Sequence, residues 1–288
     1  MNQRDHSQSD HEEIRSISLG ENSLYLSGSR GTLSSIDLNG GALNWAVQMD
    51  KEGAEGGAYS IVPAMEKEGL VTAVGLYWGA QVLRFDRLTG QCKQTLSFDD
   101  DRYGRAVSSA IVQGDLVSVG TTHGGLLSRN ATSASRHWHF RVDGELRDDR
   151  FVTMGDLTII GCSDGQVYGL NVPRKRKRWA FKSEGKGWAT PTAQGDDSVI
   201  VTDSTSIHSL EARSGRVQWS NSTIYRSSTA LTNDAVVYIC TIDENQRDGL
   251  NAFDAMTGEL IWRCPFPQLD AAKVPQKREA GLSTVPAG

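Results

Sequence analysis

Three groups of residues in this sequence have types and spacing that chemistry could use. His137-Trp138-His139 sets two imidazoles two residues apart, so that on a strand they share a face, as two ligands of one metal would. No cysteine or well-placed acid supplies a third ligand, and ordinary outer-strand histidines account for the pair without a metal. The second group is Arg174, Lys175, Arg176, Lys177 and Arg178, a run that follows Pro173. Five consecutive cations repel one another and must be exposed, either as a solvated turn or as a patch for an anionic partner. The third group is acidic: Asp99, Asp100 and Asp101, then Asp148 and Asp149. Such a rim keeps a protein soluble and offers a basic partner or a cation a place to sit. Asp99 to Gly104 does not match a calcium loop, because the ligand spacing fails at Tyr103.

No Ser-His-Asp or paired-carboxylate constellation can be assembled from the order of the residues alone. Cys92, Cys162, Cys240 and Cys264 are far apart and form neither an adjacent pair nor a C-x-x-C motif. With no secretory signal near Met1, they are expected to be reduced thiols, and zinc is not expected. The formal charge of -5 argues against general nucleic-acid binding, which needs a basic surface. The basic run also lacks an aromatic platform on which bases could stack. Residues 1 to 20 are polar and charged, and no later apolar run is long enough to span a bilayer, so the expectation is a cytoplasmic chain with no membrane partner. The sequons at Asn130 and Asn221 carry meaning only in a secreted protein.

These groups sit on a repeat. Asp37, Asp86, Asn130, Asn171, Glu211 and Asp254 mark the ends of similar strands, and eight residues after each stand Trp45, Gln94, Trp138, Trp179, Trp219 and Trp262. A period of roughly 40 residues is the signature of a propeller or solenoid. Unit four shows the plan, with strands expected near Phe151 to Thr153, Leu157 to Gly161, Val167 to Asn171 and ending at Trp179 to Phe181, joined by glycine-bearing turns. Four short antiparallel strands make one propeller blade, so the fold class is all-β. The marking carboxylate or amide is expected to accept backbone N–H groups of the following turn. The tryptophan offers an apolar face to the next blade and an N–H that wants an acceptor. Unit two, with Gln94, is expected to be the least well docked. The serine- and threonine-rich first strands, including Ser108, Thr190 and Thr192, are expected to line a central channel where blades converge.

The segment Ala252 to Trp262, with weaker copies at Ser35 to Trp45, Arg84 to Gln94 and Ser209 to Trp219, resembles the tryptophan-docking repeat of the pyrroloquinoline-quinone (PQQ)-like β-propeller superfamily. The resemblance covers nearly all of residues 12 to 266. It implies the propeller fold and says little about activity, since the superfamily holds quinoprotein dehydrogenases, an outer-membrane-assembly lipoprotein and propeller domains of other enzymes. Dehydrogenase chemistry there needs a calcium site, an aspartate base and, in many members, adjacent cysteines, which this chain lacks. No cofactor is therefore expected.

The expected layout is a disordered lead over residues 1–11, six blades over 12–266, and a linker with the first strand of an incomplete seventh blade over 267–288. The expected function is a non-catalytic scaffold for a protein or peptide partner. A partial or degenerate PQQ-type oxidoreductase and an outer-membrane-assembly propeller are the alternatives.

Overall fold

The computed structural model describes residues 13–29, 31–48, 65–67, 69–75, 81–98, 102, 108, 110–146, 151–185, 187–222, 230–233, 235–242 and 248–265. The expected lead, the seventh-blade strand and the acidic residues Asp99, Asp100, Asp101, Asp148 and Asp149 lie outside them.

The first sheet comprises β1 (Ile14–Leu19), β2 (Ser23–Gly28), β3 (Thr32–Asp37) and β4 (Leu43–Gln48). The second comprises β5 (Met65–Lys67), β6 (Leu70–Gly75), β7 (Gln81–Asp86) and β8 (Cys92–Ser97). The third holds β9 (Ile111–Gln113), β10 (Leu116–Thr121), β11 (Gly125–Asn130) and β12 (Arg136–Arg141). The fourth holds β13 (Phe151–Met154), β14 (Leu157–Gly161), β15 (Gln166–Asn171) and β16 (Arg176–Lys182). The fifth is β17 (Thr190–Gln194), β18 (Ser198–Thr202), β19 (Ile207–Glu211) and β20 (Val217–Asn221). The sixth is β21 (Leu231–Thr232), β22 (Val236–Ile242), β23 (Asp248–Asp254) and β24 (Leu260–Pro265). In each sheet the strands lie side by side in chain order.

First strands of neighbouring sheets touch, β1 with β5, β5 with β9, β13 with β17 and β17 with β21, so the sheets converge at their first strands like blades on a hub. Five hydrophobic clusters fill the seams. Tyr25, Leu33 and Phe85 join the first sheet to the second; Phe98, Val117 and Leu127 join the second to the third. Leu126, Ile160 and Leu170 join the third to the fourth; Ile159, Val199 and Leu210 join the fourth to the fifth; Ile200, Val237 and Phe253 join the fifth to the sixth. Among the described residues no cluster joins the sixth sheet to the first.

One irregularity recurs in all six sheets. Pairing of the third strand with the fourth shifts register at Ser35/Ile36, Arg84/Phe85, Ser128/Arg129, Gly169/Leu170, Ser209/Leu210 and Ala252/Phe253. A bulge bends and twists its strand. Here it sits directly beside the position from which the tryptophan projects.

The basic run is placed differently from expectation. Only Arg174 and Lys175 belong to the turn, and Arg176 already opens β16, paired with Asn171 across the bulge. The extra residue of the bulge lets the ladder resume earlier than a turn spanning the whole run would allow.

Candidate functional site

The marking residues organise the turns between third and fourth strands. Asp254 Oδ1 accepts the N–H of Met256 (2.9 Å) and Thr257 (2.8 Å) and the Thr257 hydroxyl (3.1 Å). Asp86 receives the same three bonds from Leu88 and Thr89, and Asn130 receives them from Thr132 and Ser133. These bonds, chiefly those from the Thr257 and Met256 N–H groups, hold the Asp254 carboxyl below its usual range; the bonds from Thr89 do so for Asp86.

Three of the turns that follow a mark receive the tryptophan of the preceding sheet. The indole N–H of Trp45 donates to the Arg87 carbonyl (2.9 Å), Trp179 to Ala212 (2.8 Å) and Trp219 to Ala255 (2.9 Å). In every case the acceptor is the residue after the mark. Four residues after the mark stand Gly90, Gly215 and Gly258, all at positive φ, each lying so close to the indole that a Cβ would fall within 3 Å of the ring. Trp45, Trp179 and Trp219 are consequently only 8%, 7% and 8% exposed.

The other seams depart from this lock in correlated ways. At Gln94 the indole is missing, and the partner turn carries Ala134, at φ 57, instead of glycine. Opposite Gln94 stands Arg84, whereas opposite the tryptophans stand Ser35, Ser128, Gly169, Ser209 and Ala252. A small residue is needed there because the flat indole lies across it, and Arg84 leaves no room. That seam closes on apolar packing instead, with the Arg129 guanidinium 5.6 Å from the Phe98 ring centre. At Trp138 the partner turn carries Lys175, at φ 53, where the locked turns carry glycine. Trp138 stays half-buried against Phe140 (5.5 Å between ring centres), and His137 Nε2 lies 3.2 Å from the carbonyl of Val172 in its place.

Trp262 is 42% exposed and packs on Tyr238 of its own sheet (6.0 Å). The equivalent turn at the other end of the chain, with Leu38 after its mark and Gly41 at φ 67, has nothing within 4 Å of the glycine's Cβ direction. Among the described residues the sixth sheet thus presents an indole without a turn and the first a turn without an indole. Around them Leu231, Leu260 and Ile261 on one side, and Ile14, Ile17, Leu19 and Leu43 on the other, are exposed.

Two concavities accompany the seam between the fourth and fifth sheets. One, of about 500 Å³, is lined by Phe181, Glu184, Ser206, His208 and Ser220 among others. Ser183 and Ser206 both donate to Asp203 Oδ2; His208 Nε2 lies 2.9 Å from Ser206 Oγ and 3.1 Å from Ser183 Oγ, and its Nδ1 lies 2.8 Å from Ser220 Oγ. This is serine, histidine and aspartate in the wrong order for catalysis. An activating acid must hold the far nitrogen of the imidazole, but here it takes the serine protons directly. Burial alone would raise the Asp203 carboxyl, yet the two hydroxyls and the N–H groups of Thr205 and Ser206 outweigh it and hold the carboxyl low. Burial lowers His208, against the pull of Asp203 and Glu184, and keeps it neutral. The cluster is a polar clasp between two sheets.

The other concavity is a groove of about 710 Å³ between turns on one face: Gly155 and Asp156, Arg174 and Arg178, Gly195 and Asp196, Ala212 and Arg213. Arg174 and Arg178 come from the basic run. Arg213 does not, and no local pattern links it to them, because only the seam brings successive turns together. The ion pairs among the described residues are Arg87 with Glu21 and Arg216 with Glu211, and none involves the groove arginines.

The four cysteines are free and separate, and no group of three or more His, Cys, Asp or Glu among the described residues could hold a metal ion. His137 is turned to the Val172 carbonyl.

Consecutive four-stranded sheets, joined at a hub and locked indole to turn, define a tryptophan-docking β-propeller. The family model for outer membrane protein assembly factor BamB matches residues 7–181 and 163–279, and the chain belongs to that family. The crystal structure of BamB from Moraxella catarrhalis superposes with a TM-score of 0.63 at 14% identity, covering 88% of this chain and 77% of that one. The computationally designed Ika8 protein superposes with a TM-score of 0.53 at 11% identity, covering 88% and 86%. Both show the shared fold. No curated protein matches the chain.

Proposed function

We propose that the protein is a non-catalytic scaffold that holds protein partners, and that it serves in the assembly of outer membrane proteins. The observation that carries the scaffold reading is the open edge of the sixth sheet, where Leu260, Ile261 and Trp262 are all exposed on the outermost strand. Large apolar side chains gathered at an exposed edge mark a surface that meets another protein. The second half of the proposal is supported by family membership. It requires the envelope, whereas the composition of the first residues led to the expectation of a cytoplasmic protein.

Two experiments test the two halves. A photoreactive phenylalanine analogue at Leu260, in the native cell, is expected to give a discrete adduct with another protein, and the same group at exposed Arg136 is not. Adducts of equal yield at both sites, or none at Leu260, would remove the edge as a partner surface. Fractionation of the native protein is expected to place it in the envelope, and an entirely cytosolic protein would contradict the assembly role.

A further inference from the structure

We propose that the groove between the fourth and fifth sheets is a docking site for an acidic, extended protein segment, held by Arg174, Arg178 and Arg213. The inference goes beyond the scaffold reading and concerns a different surface from the open edge, so either can fail while the other stands.

Convergence is the first ground. Two of the three arginines come from the turn and strand start of one sheet and the third from the turn of the next, and they line one groove of about 710 Å³ without an ion pair among the described residues. Guanidinium groups present a planar fork that matches a carboxylate, so three of them around a groove favour a run of carboxylates over a single ion. The Arg174 backbone is fixed: Asn171 Oδ1 accepts its N–H (2.9 Å), while Asn171 Nδ2 donates to Asp156, another lining residue.

Local structure supplies the second ground. Where the turns at Gly90, Gly215 and Gly258 have glycine, this one has Lys175 at φ 53, a conformation that disfavours a side chain. On its other side, at the seam between the third and fourth sheets, the same turn faces Trp138, whose neighbour His137 lies 3.2 Å from the Val172 carbonyl where the locked seams have the indole.

The lining decides the partner class. Among the described residues no aromatic side chain borders the groove, so bases would find no stacking surface there, and Asp156 and Asp196 in its lining would repel a continuous phosphate backbone. A peptide tolerates them, because its carboxylates alternate with backbone N–H groups that those aspartates can accept.

The test is fluorescence anisotropy of a labelled hexaglutamate peptide with the whole protein at low ionic strength, beside a labelled oligothymidylate. The peptide is expected to bind, and more weakly as salt is raised. Arg174→Gln with Arg213→Gln is expected to weaken it about tenfold or more, and Arg176→Gln with Lys177→Gln, which removes the same charge outside the groove, only about twofold. All four side chains are exposed, and thermal melts verify that both double variants remain folded. Equal losses in the two variants would overturn the groove as the site. Tighter binding of the oligonucleotide would overturn the partner class, and binding of neither probe would overturn the proposal outright.

Discussion

The indole N–H of Trp219 donates a 2.9 Å hydrogen bond to the carbonyl of Ala255 in the next sheet, and three residues further on Gly258 lies against the same ring. One side chain thus joins two blades by a directed bond and a stacked face. Trp219→Ala is expected to cost about 3–5 kcal/mol, as deletion of a buried aromatic does. Trp219→Phe keeps most of the area, leaves the Ala255 carbonyl unpaired and should cost about 1–2 kcal/mol. Trp262→Ala, at an exposed site, should change stability by no more than about 0.5 kcal/mol. Denaturant melts of the three variants check the order.

Glycine in the lock can be separated from glycine in an ordinary turn. Gly215 has φ 70, and a Cβ there would lie 2.6 Å from the Trp179 ring; Gly195 has φ 57 and open space around it. Gly195→Ala should cost about 1 kcal/mol for the backbone alone, and Gly215→Ala clearly more. Lys175→Gly should do the reverse and raise stability by about 0.5–1 kcal/mol. Thermal melts of the three decide whether the fourth residue after the mark controls the seam.

The clasp between the fourth and fifth sheets should respond to pH through His208. Burial lowers its folded pKa below the unfolded value of about 6.5, with Asp203 and Glu184 opposing. The folded state therefore binds fewer protons in that window, and stability that is complete above about pH 6.5 should fall as the pH drops toward the folded value. Melting temperature measured from pH 8 to pH 5 should decline in the native protein and be flatter in His208→Gln.

At the marks, charge should matter less than accepting power. Asp254 accepts three bonds that Asn130 accepts equally well as an amide. Its folded pKa is lowered, so its contribution is present above the unfolded carboxylate value and is lost as pH falls through the folded one. Asp254→Asn should melt like the native protein at neutral pH and lose less on acidification, whereas Asp254→Ala should melt lower at both. Parallel melts at pH 7 and pH 3 give the comparison.

Repeat period, strand order and marks were legible in the sequence because each rests on local chemistry: a strand, an acceptor at its end, a turn, and an aromatic at fixed distance. What escaped depends on two repeats at once. Trp138 has the same spacing as Trp219 but meets Lys175 rather than glycine, and that outcome requires reading the mark-plus-four residue of the next repeat. The coupling of Gln94 with Arg84 was visible in the same way, as the one large residue in a column otherwise holding Ser35, Ser128, Gly169, Ser209 and Ala252. Arg213 could not be joined to Arg174 by local reading, since 38 intervening residues separate them in the chain and only the seam unites them. The Asp203, Ser206 and His208 network was missed because its third serine, Ser183, comes from the preceding sheet.

The central claim is that the indole-to-turn lock joins consecutive sheets and leaves Trp262 open at the edge. Hydrogen exchange of the indole N–H groups, followed by NMR on protein labelled with nitrogen-15 tryptophan, reads this directly. The indole protons of Trp45, Trp179 and Trp219 are predicted to exchange slowly and those of Trp138 and Trp262 rapidly. Protection of Trp262 equal to that of Trp219, or rapid exchange at Trp179 and Trp219, would contradict it.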